Sequence, residues 1–564
     1  MKKLIIMLVI ILEMAISVTH ASNRIHKTYL SAFEQNLIAN MQKQIPVLLK
    51  QYNTPGAVVA IIDKNGIIWA EGFGVTDMEN SNPITPDTLF SLQSQSKLFT
   101  ALGILRAVQQ NQVSLNKPVS FYLPDLKAYS AFEKNPTEKM TLINLLSHTA
   151  GFAHDAPVGN NNNANPDFDV HIKSIIDGTW LQFPVGKGYQ YSNVGIDLAG
   201  YILQKQYRLP FNEVMEKIVF LPLEMRNSTF NLEIFLNSPN HATGHIDGLT
   251  PIPYNHSFIP SGGMYSNVID LSHYVEFQLN NGAYHQKTIL KKDLLKTLLS
   301  IPYSNQNQTS GYAQGVWKGK RLNTLYFAHL GRGFGFANDL EWYPEYQIGV
   351  IVLTNKADNN NTDIKIAHLI IDPVIKHMQE HQLSDLIKMI TGSYISDSTS
   401  INIIKNDNRL FIEGELNTDT AGNIFEKIND ELSYIGNSTF HAKSSNIDFY
   451  YIKKSETGTP AIQQIGTDKR WYLNKPDFLS EGPNRVNWKK YTGTYELQSY
   501  GAPIQIIISI KQGYLYINDL KLQEMKPGVF ATANGQMLVF HDENHASWCN
   551  LFIKKSNHIQ AEKM

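Results

Sequence analysis

Phe90-Ser91-Leu92-Gln93-Ser94-Gln95-Ser96-Lys97-Leu98-Phe99-Thr100-Ala101 concentrates more chemistry than any other stretch of this chain. The pattern from Ser94 to Gln109 is helical, so Ser94 and Lys97 stand three residues apart on one helix face. A serine hydroxyl is a poor nucleophile until its proton is removed, and a lysine whose pKa is lowered in a pocket can remove it. The partial positive charge at a helix N-terminus favours the resulting alkoxide. Taken alone, Ser-x-x-Lys reads better as an ordinary helix start with a surface lysine, since a chain of this size should contain about one or two such quartets by chance.

Two other short segments supply groups that would complete such a site. Tyr191-Ser192-Asn193 places a phenol and an amide two residues apart, able to relay a proton and to orient a carbonyl. Tyr-x-Asn recurs at Tyr265, Tyr303, Tyr472 and Tyr516. Only Tyr191 follows a loop, Phe183 to Gly188, and leads into a helical run, Val194 to Gln204. His329-Leu330-Gly331, followed by Arg332, is the sole His-x-Gly among 18 histidines. A strand carrying a polar residue and then glycine can lie close against a ligand and offer backbone N–H groups to an oxyanion. By itself His329 reads equally well as a satisfied structural histidine.

The surroundings suggest how these segments meet. Tyr29 to Tyr52 has helical spacing, and Ala57 to Ile62 and Ile67 to Phe73 flank Lys64-Asn65-Gly66, a hairpin signal. A mostly helical middle follows, broken by the polar tract Gly159 to Pro166, which is expected to be a surface loop. Strand patterns return at Gly311–Trp317, Thr324–His329, Phe336–Trp342 and Gln347–Leu353, and a helix is expected over Asp363–Gln382. This order predicts an α+β domain over residues 24–382: one antiparallel sheet assembled from both ends, flanked by helices, with an inserted helical lobe. From about 386 to 564 short β-prone runs dominate. Thr391-Gly392-Ser393-Tyr394 is echoed by Thr492-Gly493-Thr494-Tyr495, each leading into similar β-runs. Two related units near 386–485 and 488–564, one barrel built from two halves, or chance likeness all fit that echo.

Composition excludes several classes. With 564 residues, 43% of them hydrophobic, the chain has material for several folded domains and is not disordered. Forty-nine basic against 50 acidic residues, net charge −1, give no field to attract nucleic acid. One cysteine, Cys549, excludes an internal disulfide and any multi-cysteine metal site. His148 and His154 lack further clustered ligands, so no metal or other cofactor is expected. Lys2-Lys3, the apolar run Leu4–Leu12 and Thr19-His20-Ala21 form a signal-peptide pattern over residues 1–21, too short to span a bilayer. Export to the periplasm or medium is therefore expected, with no membrane segment in the mature chain.

Together these segments resemble the serine β-lactamase and penicillin-binding-protein-like superfamily. The likeness extends through Leu145-Leu146-Ser147-His148-Thr149-Ala150-Gly151-Phe152, Tyr189 to Gly195, Pro222-Leu223-Glu224-Met225 and Pro260-Ser261-Gly262-Gly263-Met264. It implies an acyl-enzyme serine hydrolase in which Ser94 is the nucleophile and Lys97 accepts or shuttles its proton. Tyr191 would be general base and acid, and Asn193 would hold the substrate. The backbone N–H groups of Ser94 and Arg332 would bind the oxyanion, beside Gly331. His329 stands where many relatives carry a lysine, which argues against efficient β-lactam hydrolysis and for peptide, amide or ester substrates. His148 is expected to be a packed histidine, and Gln93 and Gln95 to narrow the cleft. The C-terminal part resembles a lipocalin-like β-barrel appendage. A non-catalytic binding or sensing protein using the same cleft is the alternative.

Overall fold

The computed structural model describes residues 24–26, 30–79, 81–156, 167–246, 257–302, 310–357 and 360–395. Beyond 395 it describes 400–406, 409–417, 425–436, 439–452, 461–464, 470–473, 486–497, 504–511, 514–518, 520–526, 529–532, 537–542, 545–548 and 551–555. The expected leader, the polar tract at 159–166 and Cys549 lie outside the described residues. The chain divides into two compact units, Met1–His377 and Met378–Met564.

The first unit is organised by one antiparallel sheet of eight strands. They are β1 (Arg24–His26), β2 (Gly56–Asp63), β3 (Gly66–Gly74), β4 (Gly311–Tyr312), β5 (Trp317–Arg321), β6 (Thr324–Gly333), β7 (Phe336–Tyr343) and β8 (Ile348–Thr354). Their order, β1-β3-β2-β8-β7-β6-β5-β4, joins the early hairpin to the late strands through the β2–β8 pair. The central strands β2, β7 and β8 are buried almost end to end; β2 and β8 are near-continuous apolar runs, while β7 also buries Asn338, Asp339 and Glu341. One difference from the expected strands is local. Residues 313–316 turn between β4 and β5 instead of continuing as strand, and this aims Tyr312 at the site described below.

Helices cover the sheet and form the lobe. α1 (Ala32–Gln51) starts at a capping box, Ser31 with Glu34, and buries Leu37, Ile38, Met41, Ile45 and Leu49 at helical spacing. α2 (Ser96–Gln109), α3 (Phe168–Asp177), α4 (Asn193–Tyr207), the single turn α5 (Ile259–Gly262) and α6 (Val268–Leu279) follow. α7 (Thr362–Ile390) runs eight residues past its expected end. α2 and α4 are buried on nearly every side, which explains their scant polar faces. A single hydrophobic cluster joins Phe99, Leu102, Ile196, Leu198, Tyr274 and Trp342, so sheet, α2, α4 and α6 share one core.

The second unit contains two closed antiparallel barrels of eight strands each. The first runs from Gly392–Ile395 to Arg470–Leu473, the second from Gly493–Leu497 to Leu551–Lys555. Each closes by pairing its first strand with its last. The repeated Thr-Gly-x-Tyr marks the same joint in both. Tyr394 donates to the Ile390 carbonyl at 2.7 Å and Tyr495 to the Tyr491 carbonyl at 3.0 Å, each fastening a first strand to the end of the helical segment before it. Alternate residues such as Ile401, Ile403, Leu410 and Ile412, or Ile506, Ile508, Leu515 and Ile517, form each barrel's own hydrophobic cluster.

Candidate active site

Ser94 lies in a short 3-10 turn, Gln93–Gln95, that passes directly into α2. Gln93 adopts φ +52°, a left-handed conformation costly for a non-glycine residue by about 1–3 kcal/mol. The turn is clamped in that shape. Gln93 Nε2 donates to Ser91 Oγ at 2.7 Å, and Ser96 Oγ donates to the Gln93 carbonyl at 2.6 Å. Gln95 Nε2 donates to the His329 carbonyl at 3.0 Å, tying the turn to β6. Gln93 and Gln95 are buried and brace the turn, so they do not narrow the cleft as expected.

The hydroxyl, amine and phenol converge. Lys97 Nζ is 3.1 Å from Ser94 Oγ, 2.7 Å from the Ser261 carbonyl on α5, and 4.8 Å from the centre of the Tyr191 ring. The Ser94 side chain is close enough to the Tyr191 phenol to oppose, in part, the effect of burial on its pKa. Lys97 is fully buried, and that burial pulls its pKa down to about 7 against the opposing charges of Asp197 and Asp155. Burial pushes the Tyr191 phenol well above its ordinary value, so it remains protonated at neutral pH.

His329 is the next member of the wall. Its Nδ1 is 2.7 Å from the Leu330 carbonyl, and its Nε2 is 2.8 Å from the Tyr312 hydroxyl. A carbonyl only accepts, so Nδ1 carries the proton and Nε2 receives the tyrosine's. Burial, and then the charge of Lys97, lower its pKa to about 3, so it is neutral across physiological pH. Gly331 lets β6 approach the Ser94 turn: a Cβ there would lie 2.0 Å from the Leu92 carbonyl oxygen. Arg332 lines the cleft, but its Nη2 is committed to both oxygens of Asp363 at 2.9 and 3.0 Å.

Asn193 is placed differently. It starts α4, and its Nδ2 donates to Asp155 Oδ1 at 3.1 Å rather than facing the cleft. His148 is buried, as expected, with Nδ1 accepting the Ser192 N–H at 3.1 Å. Its ring centre lies 4.4 Å from those of both Tyr191 and Tyr312, so it also buttresses the aromatic wall. Sequence reasoning missed Tyr189, Tyr312, Trp317 and Leu330, which with the residues above enclose a cleft of about 310 Å³. Tyr312 and Trp317 come from strand ends that no spacing rule links to the motifs, whereas Leu330 and Tyr189 lie beside His329 and Tyr191 within segments already singled out. Among the described residues no group of three His, Cys, Asp or Glu side chains is arranged to hold a metal ion, and no helix is long and apolar enough to cross a membrane.

Comparison with known proteins fits this geometry. A family model described as beta-lactamase matches residues 33–374. The chain is similar to protein flp of Staphylococcus aureus strain MW2, 27% identical over 339 residues, which cover 57% of this chain and 64% of that one. It thus spans a little under two thirds of that relative's length. It is also similar to a beta-lactamase of Lysobacter lactamgenus, 25% identical over 369 residues, covering 59% of this chain and 91% of that protein. Among solved structures, the octameric penicillin-binding protein homologue from Pyrococcus abyssi aligns with a TM-score of 0.52. Its 20% identity, over 77% of this chain and 99% of that one, is a likeness of fold.

Proposed function

The chain belongs to the beta-lactamase family, and from that premise we propose that it hydrolyses uncharged esters or amides, peptides included, through an acyl-enzyme on Ser94. Serine hydrolase chemistry of the β-lactamase and penicillin-binding-protein type is what the family carries in general. The observation that supports its presence here is the convergence of Ser94 Oγ, Lys97 Nζ and the Tyr191 phenol.

The groups divide the proton work. A lysine with a pKa of about 7 is neutral in a large fraction of molecules at neutral pH, so Lys97 takes the Ser94 proton as Oγ attacks the carbonyl carbon. The carbonyl π pair moves to oxygen, and the oxyanion faces the N–H groups of Ser94 and Arg332. The Tyr191 phenol, too weak an acid to be the resting base, donates its proton to the leaving oxygen or nitrogen as that bond breaks, and the Lys97 ammonium restores it. Water then repeats the sequence on the acyl ester and frees Ser94.

Two features support an uncharged, apolar substrate. His329 is neutral and occupied by Tyr312, so it offers no cation to the carboxylate of a β-lactam. Arg332 already faces the buried carboxylate of Asp363. Tyr189, Tyr312, Trp317 and Leu330 leave the cleft largely aromatic and aliphatic. The test is a fluorophosphonate probe followed by a panel of acyl esters, D-amino-acid amides and nitrocefin. Labelling at Ser94, lost in Ser94→Ala, with esters or amides turned over faster than nitrocefin, is the expected result. A folded wild-type protein that is never labelled refutes the hydrolase reading and leaves the cleft as a receptor.

A further inference from the structure

One turn into α4 a carboxylate lies where the helix has no packing need for one. Asp197 is fully buried between the buried Ile196 and Leu198. A charge in that position is costly unless it is paired and hydrogen-bonded, and an apolar residue of similar size would fill the space at less cost. Its partners are specific. Oδ2 lies 2.9 Å from Nε2 of the buried His171 on α3, and Oδ1 accepts the Ser261 N–H at 3.0 Å. Ser261 then turns its own carbonyl to Lys97 Nζ at 2.7 Å, while Thr100 Oγ1 donates to the Pro260 carbonyl at 2.6 Å. The α5 turn is therefore held on one side by the Asp197–His171 pair and on the other by α2.

We propose that Asp197, oriented by His171, is a positioning residue that fixes the Ser261 carbonyl against Lys97 and supplies the main counter-charge governing when that lysine is neutral. The groups facing Lys97 from each neighbouring element are few. They are Ser94 from its own segment, Asp155 from the segment before α3, Tyr191 from the segment leading to α4, His148, and His329 on β6. Both histidines are driven toward their neutral forms by burial and by Lys97 itself. Asp155 is 41% exposed and shared with His154 at 2.8 Å and with Asn193, so solvent and neighbours weaken its field. Asp197, though paired with His171, has no outlet to solvent, and its charge outranks that of Asp155 in raising the lysine's pKa.

This inference rests on Ser94 being the acylated nucleophile, and its test separates the two claims. The rate of fluorophosphonate labelling of the full-length protein is measured from pH 5 to 9 for wild type and Asp197→Asn. The asparagine keeps an acceptor for the Ser261 N–H and a polar partner for His171 but removes the negative charge. Without that charge the ammonium is less favoured, so the acidic limb of the labelling profile moves to lower pH by about one unit. At pH 6 the variant then labels about five-fold faster than wild type, since the neutral lysine fraction rises from about one tenth to about one half. Asp197→Ser, with a small hydroxyl in place of the carboxylate, carries the same expectation if the asparagine variant does not fold. A limb that stays in place while melting temperature or plateau rate falls overturns the proposal, because it marks Asp197 as purely structural. Wild type that is unlabelled at every pH removes the nucleophile itself, and this inference with it.

Discussion

Replacing Gly331 by alanine isolates the contact that brings β6 to the nucleophile. The added Cβ would stand 2.0 Å from the Leu92 carbonyl oxygen, 3.1 Å from that carbonyl's carbon and 3.3 Å from Asn338 Nδ2. Ordinary contact begins near 3.4 Å, so the strand and the Ser94 segment must part by about 1.4 Å. Neither side yields easily. The Leu92 N–H is bonded to the Met264 carbonyl at 2.8 Å, and Asn338 Nδ2 donates to the Ser91 carbonyl at 2.9 Å. Displacing a reacting group by about 1 Å typically costs on the order of 10²-fold in rate. Gly331→Ala should therefore label with fluorophosphonate about 100-fold more slowly than wild type. Leu92 belongs to the shared hydrophobic core, so the melting temperature should also fall while unfolding remains cooperative. The assay is the second-order labelling rate, with intact mass confirming modification of Ser94. Wild-type labelling by a variant with an unchanged melting temperature would show that this close approach does not position the nucleophile.

Three further outcomes follow from the same geometry. In wild type the labelling rate should fall about ten-fold per pH unit below pH 7, because protonated Lys97, whose pKa lies at about 7, cannot accept the serine's proton; a rate flat from pH 5 to 9 would contradict that role. Trp317, 42% exposed at the cleft, should act on long or aromatic acyl groups, so Trp317→Ala should raise KM for such esters about ten-fold and leave acetyl esters nearly unchanged. In the first barrel, Asp430 accepts the Ser444 and Ser445 N–H groups and the Ser445 hydroxyl, which lower its pKa to about 2. Its contribution is complete above the ordinary carboxylate pKa of about 4 and is lost as pH falls through about 2. Asp430→Ala should cost that unit about 1–3 kcal/mol in chemical denaturation at pH 7, and less at pH 2.

What was legible in the sequence was what chemistry or periodicity makes local. Ser94 and Lys97 could be paired because three residues on a helix share a face, and the early hairpin because an Asn-Gly turn joins two apolar runs. The barrels were foreshadowed by a repeated Thr-Gly-x-Tyr whose tyrosines perform the same fastening in both. The turn at 313–316 was hidden, since Gly311 to Trp317 has the composition of a strand and only its tertiary setting bends it. The partner of Asn193 was hidden for a related reason: its helix-start amide donates to Asp155, a contact no spacing encodes. Asp197 gave no signal, because one acid within an apolar helical run reads as its solvent face until that face is seen to be buried.

The site's charge inventory explains why His329 and Lys97 belong together. Two cations in one buried pocket repel strongly, and burial penalises each of them further. With histidine at 329 the conflict does not arise: the ring gives up its charge, takes the Tyr312 hydroxyl on Nε2, and leaves Lys97 to titrate alone near neutrality. The cost falls on recognition, since His329 offers no cation to a substrate carboxylate and the Arg332 guanidinium already faces Asp363. Selectivity must then come from shape and from the aromatic surfaces of Tyr189, Tyr312 and Trp317, whose apolar contacts discriminate by size more than by charge. In the proposed mechanism, the same exchange of charge for apolar contact that frees the lysine to act as a base limits what the cleft selects.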